Sequence, residues 1–289
     1  GITGLPHWFE MACLLMPLVF AAALGGNLSL IGAPGNLIAQ SALQNIGSGF
    51  GFFEYAKVGL PMLVCGILYF LTIGYKFLPN NSNSSEVGSI GEQRDYSHVP
   101  RWKQILSLVV LIATILGMIF EKQTGISLTV AGCIGALVLV ITGVLTEKQA
   151  YKAIDSQTIF IFGGTLALAK ALEMTGAGKL VADQVIGLLG NNSSPFMLLV
   201  VVFALSVVMT NFMSNTATVA LLVPVSLSIA AGMGADPRAV LMATVIGSSC
   251  AYATPIGMPA NMMVLSAGGY KFVDYAKSGI PLIIVSTIV

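Results

Sequence analysis

Charge is what this sequence has least of. Aspartate, glutamate, lysine and arginine make up 9% of its 289 residues, against 56% hydrophobic residues, and the mean hydropathy is +0.89. A water-soluble domain carries roughly 25% charged residues to coat its surface, so a soluble fold is excluded. The formal net charge of +1 leaves no basic patch, which removes nucleic acid as a partner. Histidine is nearly missing: His7 and His98 are the only two, and both fall outside the long apolar runs. No H-E-x-x-H, no G-x-S-x-G and no acid pair at depth is present, so nothing supports an enzyme. The four cysteines (Cys13, Cys65, Cys133, Cys250) form no C-x-x-C pair and read as small buried hydrophobes. Residue 1 is glycine, and "PLIIVSTIV" stops inside an apolar run, so the chain is expected to be a piece of a longer protein.

What is present in quantity is apolar runs of membrane-spanning length, about 20 residues each. They read as helices near 58–78, 104–121, 126–145, 157–174 and 239–254, with a segment at 11–46 long enough for one crossing plus a break. The fold class is therefore an all-α polytopic membrane protein, multi-pass in the plasma or inner membrane. One stretch reads as a true loop, "LPNNSNSSEVGSIGEQRDYSHVPRWK" (78–103). Residues 176–195 have an amphipathic first part suited to the interface. If the 79–103 linker is cytoplasmic, eight basic residues (Lys76, Arg94, Arg101, Lys103, Lys148, Lys152, Lys271, Lys277) fall inside and five (Lys57, Lys122, Lys170, Lys179, Arg238) outside or near that edge, in the sense of the positive-inside rule.

Two segments repeat each other. Ile31, Gly32, Pro34 and Asn36 match Ile256, Gly257, Pro259 and Asn261, 225 positions on. Downstream, "FFEYAKVGLP" (52–61) matches "FVDYAKSGIP" (272–281), 220 positions on. The chain divides accordingly into the end of a first repeat (1–78), the polar linker (79–103) and a second repeat (104–289). Counting crossings from one matched segment to the other gives an odd number, whether the stretch around Ser214 is a hairpin or a pair of crossings. The two copies therefore enter the membrane from opposite sides, the inverted-topology repeat common among secondary transporters.

Proline removes a backbone donor and glycine admits turns that other residues resist. "SLIGAPGN" (29–36) and "TPIGMPAN" (254–261) should each split a helix in mid-membrane, where irregular backbone survives only around protein or a polar cavity. The first half then ends in carbonyls able to ligate a small cation. The second half begins with N–H groups and a positive dipole end suited to an anion. "TNFMSNTAT" (210–218) crowds Thr210, Asn211, Ser214, Asn215, Thr216 and Thr218 into an apolar run. That is denser than helix-packing glue needs, and it reads as a re-entrant hairpin with its tip at Ser214-Asn215-Thr216. No Asp, Glu or His lies in these three segments, and Lys170 and Glu173 read as surface groups near a helix end. Hydroxyl, amide and carbonyl oxygens without carboxylates suit a weakly held alkali cation such as Na⁺, rather than the titratable groups of a proton relay.

These residues together resemble the divalent anion:sodium symporter family, within the wider ion transporter superfamily. Its hallmark is a Ser-Asn-Thr hairpin tip followed by a Thr-Pro-x-Gly-x-Pro-x-Asn type break, present twice in inverted orientation. Ser214-Asn215-Thr216 and residues 254–261 match the second set; residues 29–36 match the first break loosely, and the first hairpin would precede Gly1. The resemblance implies an elevator-type secondary transporter, working as a homodimer without cofactors, with Na⁺ as coupling ion and a small anion as substrate. It implies one sodium site at Thr210, Asn215, Gly257 and Pro259, and another around Gly32 and Asn36. The anion would lie between, at Ser214, Asn215, Thr216, Pro259, Ala33 and Met258. Dicarboxylate-carrying members tend to have Thr where this chain has Ala33 and Met258. A C4-dicarboxylate is thus less expected than sulfate, another inorganic oxyanion, citrate or an organic monoanion. The alternatives are an arsenite-type oxyanion exporter or a sodium/proton antiporter of the same superfamily; further off are a channel or a membrane-embedded enzyme.

Overall fold

The computed structural model describes residues 11–78, 100–154 and 195–289, with scattered positions between 155 and 194. The 79–99 part of the linker, most of the 157–174 and 176–195 segments, His7, His98, Lys170, Lys179 and Glu173 lie outside the described residues. Among the described residues every regular element is helical. Backbone contacts divide the chain into two compact units, one joining the residues up to 90 with those from 160 onward, the other spanning 91–159.

The smaller unit is α4 (Arg101–Ile119), α5 (Glu121–Thr124), α6 (Leu128–Ile141) and α7 (Glu147–Ala153). α4 packs on α6, and Leu108, Ile112 and Leu116 of α4 point outward. A helix apolar all round with so little of it buried is built for lipid. Gly125 ends α5 in the left-handed region, and Ser127 and Thr146 cap α6 and α7.

The larger unit holds both matched segments. α1 (Met11–Gly25) runs into a 3-10 turn at Gly26–Leu28, the backbone is extended at Ser29, and α2 (Pro34–Gln44) begins only at the proline. α3 (Ala56–Thr72) follows. After α8 (Pro195–Thr210) and α9 (Asn215–Met233) comes α10 (Pro237–Ser248); the chain is then non-helical until α11 (Pro259–Ala267), and α12 (Phe272–Ile288) closes the described structure. Both breaks are real interruptions. Several helices are shorter than the sequence runs suggest: the 239–254 run is helical only to Ser248, and 126–145 only over Leu128–Ile141. By length and composition, α4 and α9 alone among the described helices pass as full membrane spans.

The halves cross over. α1 packs against α11, and α2 packs against α10 and α9, so the first half of each broken helix lies beside the second half of the other. α8 and α9 clasp α10 around Leu198, Val202, Ile229, Ala230 and Val240. Phe20 of α1 packs on Tyr252 in the second break, ring centroids 5.2 Å apart. Tyr69 of α3 donates to the Ser278 carbonyl of α12 at 2.9 Å.

Arg238, at the start of α10, donates to Glu54 in the turn before α3 and lies over the Phe50 ring, 5.9 Å from its centroid. The other Glu54 oxygen accepts from Gly51 N–H at 2.8 Å. Burial raises the Glu54 pKa, but the Gly51 N–H and the Arg238 and Lys57 charges outweigh it, so the carboxyl stays below its usual value. A depressed carboxylate pKa contributes stability above the unfolded-state pKa and loses it as pH falls through the folded one. Arg238→Gln is therefore expected to cost at most about 1 kcal/mol at neutral pH, because this pair is partly solvent-exposed. Thermal unfolding should show the deficit shrinking as the pH falls below the ordinary glutamate range; a deficit that grows in acid would contradict this account.

Candidate functional site

An unwound segment among helices must find partners for every backbone polar group it exposes. Both breaks solve this with the same asparagine. Asn36 Nδ2 donates to the carbonyls of Gly26 (3.2 Å) and Ser29 (2.8 Å). Asn261 Nδ2 donates to those of Ala251 (2.8 Å) and Thr254 (3.1 Å). Acceptors and donors in the second set are each 225 positions after those in the first. Glycine is required in both for one reason: a Cβ at Gly32 would collide with the Gly26 carbonyl, and one at Gly257 with the Thr210 carbonyl and the Ala251 methyl. Proline opens each second half at Pro34 and Pro259, where its missing N–H costs nothing.

The second break is also pinned by the turn between α8 and α9. Asn211 Nδ2 donates to the Val207 (2.7 Å) and Cys250 (3.3 Å) carbonyls, and its Oδ1 accepts from Ala253 N–H at 3.0 Å. Thr254 Oγ1 donates to the Asn211 carbonyl at 2.5 Å. The carbonyls expected to hang free at the end of the first half are thus mostly engaged already, each keeping a second lone pair.

Next to this sits a cluster of oxygen atoms. One end of the Asn215 amide lies 2.8 Å from Thr210 Oγ1 and 3.1 Å from both the Gly257 and Ser248 carbonyl oxygens. Thr210 Oγ1 donates to the Ser248 carbonyl at 2.5 Å. The acceptors around that end favour nitrogen there, its two protons shared among the three neighbours; with the amide turned over, its oxygen joins the Thr210 hydroxyl and the two carbonyls in a group of four oxygens sharing a single hydroxyl proton. Four neutral oxygens in such a group repel one another unless a cation sits among them, and carbonyl, hydroxyl and amide oxygens are the ligands a hard cation takes.

Of the residues singled out in the sequence, the structure brings together Thr210, Asn215 and Gly257. Pro259 begins α11 and is exposed; Met258, half-buried, accepts from Asn261 N–H at 3.0 Å. Ser214 is the N-cap of α9, accepting from Ala217 N–H at 3.3 Å, and Asn215 and Thr216 form the first turn of that helix. The bend itself is at 211–214, slightly before the expected tip, because a serine followed by good helix positions caps better than it turns. Gly32 lies in the first break, Asn36 in the first turn of α2, and Ala33 is the half-buried N-cap of that helix. Gly35 presses on Val219, one turn beyond Asn215, with a Cβ there only 2.9 Å from Val219 Cγ2. The first break therefore abuts the helix that carries Asn215. Ser248 escaped the sequence reading because it acts through its carbonyl, which any residue owns. Asn211 stood among the crowded polar residues, but residue type alone did not separate a pin from a ligand.

A sequence profile described as "Citrate transporter" matches residues 7–237 and 115–289. The chain belongs to the citrate transporter family. The chain is 30% identical over 282 residues to an uncharacterized transporter of Methanocaldococcus jannaschii, covering 96% of this chain and 62% of the relative. It is 28% identical over 288 residues to an uncharacterized transporter of Haemophilus influenzae (96% and 60%). It is 26% identical over 296 residues to a sodium-dependent dicarboxylate transporter of Staphylococcus aureus (96% and 56%). The chain thus spans about six-tenths of the length of these relatives. The membership agrees with the divalent anion:sodium symporter resemblance carried by the motifs, and the matched family and these relatives are named as transporters, not enzymes.

Asn211→Ala removes the partner of Ala253 N–H and one of two donors to the Cys250 carbonyl, which keeps the Tyr252 N–H at 2.9 Å. Leaving the Ala253 N–H unpaired should destabilise the protein by about 1–3 kcal/mol. Thermal unfolding of the purified protein checks this, and a loss below about 0.5 kcal/mol would show that the pin is dispensable.

Proposed function

We propose that the transporter carries a small anion into the cell, coupled to sodium, by an elevator-type alternating-access movement of a homodimer. The observation that supports this best is the convergence of Asn215, Thr210 Oγ1 and the Gly257 and Ser248 carbonyls at the second break. Sodium is co-transported cargo. Its hydration shell is replaced at this point by uncharged oxygens, which hold it weakly enough to release on the other side. Gly32 and Asn36 at the first break form the matching part of a second sodium site. The crossed packing of the four half-helices supports an antiparallel arrangement of the two repeats, with the turn at 211–214 and its flanking arms as a re-entrant hairpin. In this arrangement the positive ends of α2 and α11 face the same region as Ser214 and Thr216, and the anion binds there.

The substrate is a carboxylate or an inorganic oxyanion. The Staphylococcus aureus relative is named for dicarboxylates, but Ala33 and Met258 offer no hydroxyl at the starts of the second halves. Each absent hydroxyl removes about 1–2 kcal/mol of binding from a carboxylate that would use it. Sulfate, citrate and organic monoanions therefore rank ahead of a C4-dicarboxylate.

The full-length protein in liposomes under an inward sodium gradient should take up at least one of sulfate, citrate, acetate or succinate above the rate of empty vesicles. Uptake of none, or uptake indifferent to sodium, would reject the proposal. Asn215→Ala should raise the sodium concentration for half-maximal uptake about tenfold, the worth of one ligand at about 1.4 kcal/mol. Pro259→Ala should reduce uptake by letting helix propagate into the break. Wild-type uptake from the proline variant would mean that the break only shapes packing.

A further inference from the structure

The second repeated motif, Tyr-Ala-Lys-x-Gly-x-Pro, has no place in the site so far. It opens α3 and α12, the helices that follow each broken one. In α12, Tyr275 is fully buried and its hydroxyl donates to the Asn261 carbonyl at 2.7 Å. One turn on, Gly279 lies so close to the Tyr252 carbonyl that any Cβ would collide with it. In α3, Gly59 meets the Asn27 carbonyl in the same way, and Asn27 precedes Tyr252 by the same 225 positions. The acid just before the motif's tyrosine fastens the start of the helix in both copies: Glu54 accepts from Gly51 N–H and Asp274 from Lys271 N–H, at 2.8 and 2.7 Å.

The copies differ at the tyrosine hydroxyl. The Tyr55 hydroxyl is buried with no hydrogen-bond partner, whereas its counterpart Tyr275 is engaged.

We propose that Tyr275 and Gly279 form a two-point clamp across the second break, positioning its carbonyls for the cation. Gly279 grips the chain within the break, at Tyr252, and Tyr275 grips it just after the break, at Asn261. Asn261 in turn holds the Ala251 and Thr254 carbonyls, so a tyrosine remote from the oxygen cluster sets the curvature of the loop that carries Gly257. Tyr275 is a positioning residue and touches no cargo. At the first break only the glycine grip is made, which leaves that loop held by Asn36 without a tyrosine hydroxyl. The positioning role rests on the second break being the cation site.

The test compares Tyr275→Phe with Tyr55→Phe in the full-length protein in nanodiscs, by hydrogen–deuterium exchange. Tyr275→Phe is expected to speed amide exchange over residues 250–258 by about three- to tenfold, as loss of one buried hydrogen bond allows. Tyr55→Phe is expected to leave exchange over residues 26–33 unchanged. In liposomes, Tyr275→Phe should raise the half-saturating sodium concentration while the saturated rate stays within about twofold, a split that general damage would not produce. If the phenylalanine variant is not recovered folded, 3-fluorotyrosine at position 275, a stronger donor of the same shape, should slow exchange over 250–258. Unchanged exchange in the Tyr275 variants, or equal loosening of both breaks by the two phenylalanine substitutions, would overturn the clamp. Sodium-indifferent uptake by the unaltered protein would instead overturn the cation reading, and exchange alone would then decide whether the clamp exists.

Discussion

An interrupted helix inside an apolar body is stable only if its orphaned carbonyls and amides are met by side chains. That requirement governs the larger unit. Asn36 and Asn261 each bridge two carbonyls across their own break, and Asn211 bridges from the α8–α9 turn to the second break. Each unpaired group would cost several kcal/mol in such surroundings, so the asparagines are the condition under which irregular backbone exists there at all. Once the backbone is held, the glycines bring carbonyl oxygens close together and the prolines restart the helix.

The two breaks share one hydrogen-bond pattern but not one set of side chains. Leu30 N–H donates to the Phe52 carbonyl at 2.8 Å; its counterpart is Pro255, which has no N–H to give. Asn27 occupies the position of Tyr252, whose ring packs on Phe20. Ser29 corresponds to Thr254, which reaches the Asn211 carbonyl. Glu54 is one methylene longer than Asp274 and meets Arg238 besides capping its own turn. What persists between the copies is whatever satisfies or brings close the backbone. What varies is what packs beyond it, as expected when the geometry of the break limits substitution more than the surrounding volume does.

The breaks were legible because proline, glycine and asparagine at fixed spacing do something specific to a chain. Much of the oxygen cluster was legible too, since Thr210 and Asn215 are polar groups in an apolar run. Ser248 was not, because a carbonyl ligand leaves no mark on residue identity. Nor was the engagement of the carbonyls at Cys250, Ala251 and Thr254, which from sequence alone looked free. Helix lengths were overestimated around 239–254 because hydropathy does not register where a helix stops if the chain beyond it stays apolar.

By itself, the sequence determined the medium, the helical class, the places where helices must fail, and the internal repetition. These follow from transfer free energies and from dihedral and donor restrictions that act on single residues. Only the tertiary structure decided which first half lies beside which second half, which carbonyls an asparagine takes, and which tyrosine hydroxyl finds an acceptor. Those outcomes depend on contacts between residues some 200 positions apart, such as Tyr69 with Ser278 and Glu54 with Arg238. No local pattern encodes the direction in which a side chain points after such segments have packed.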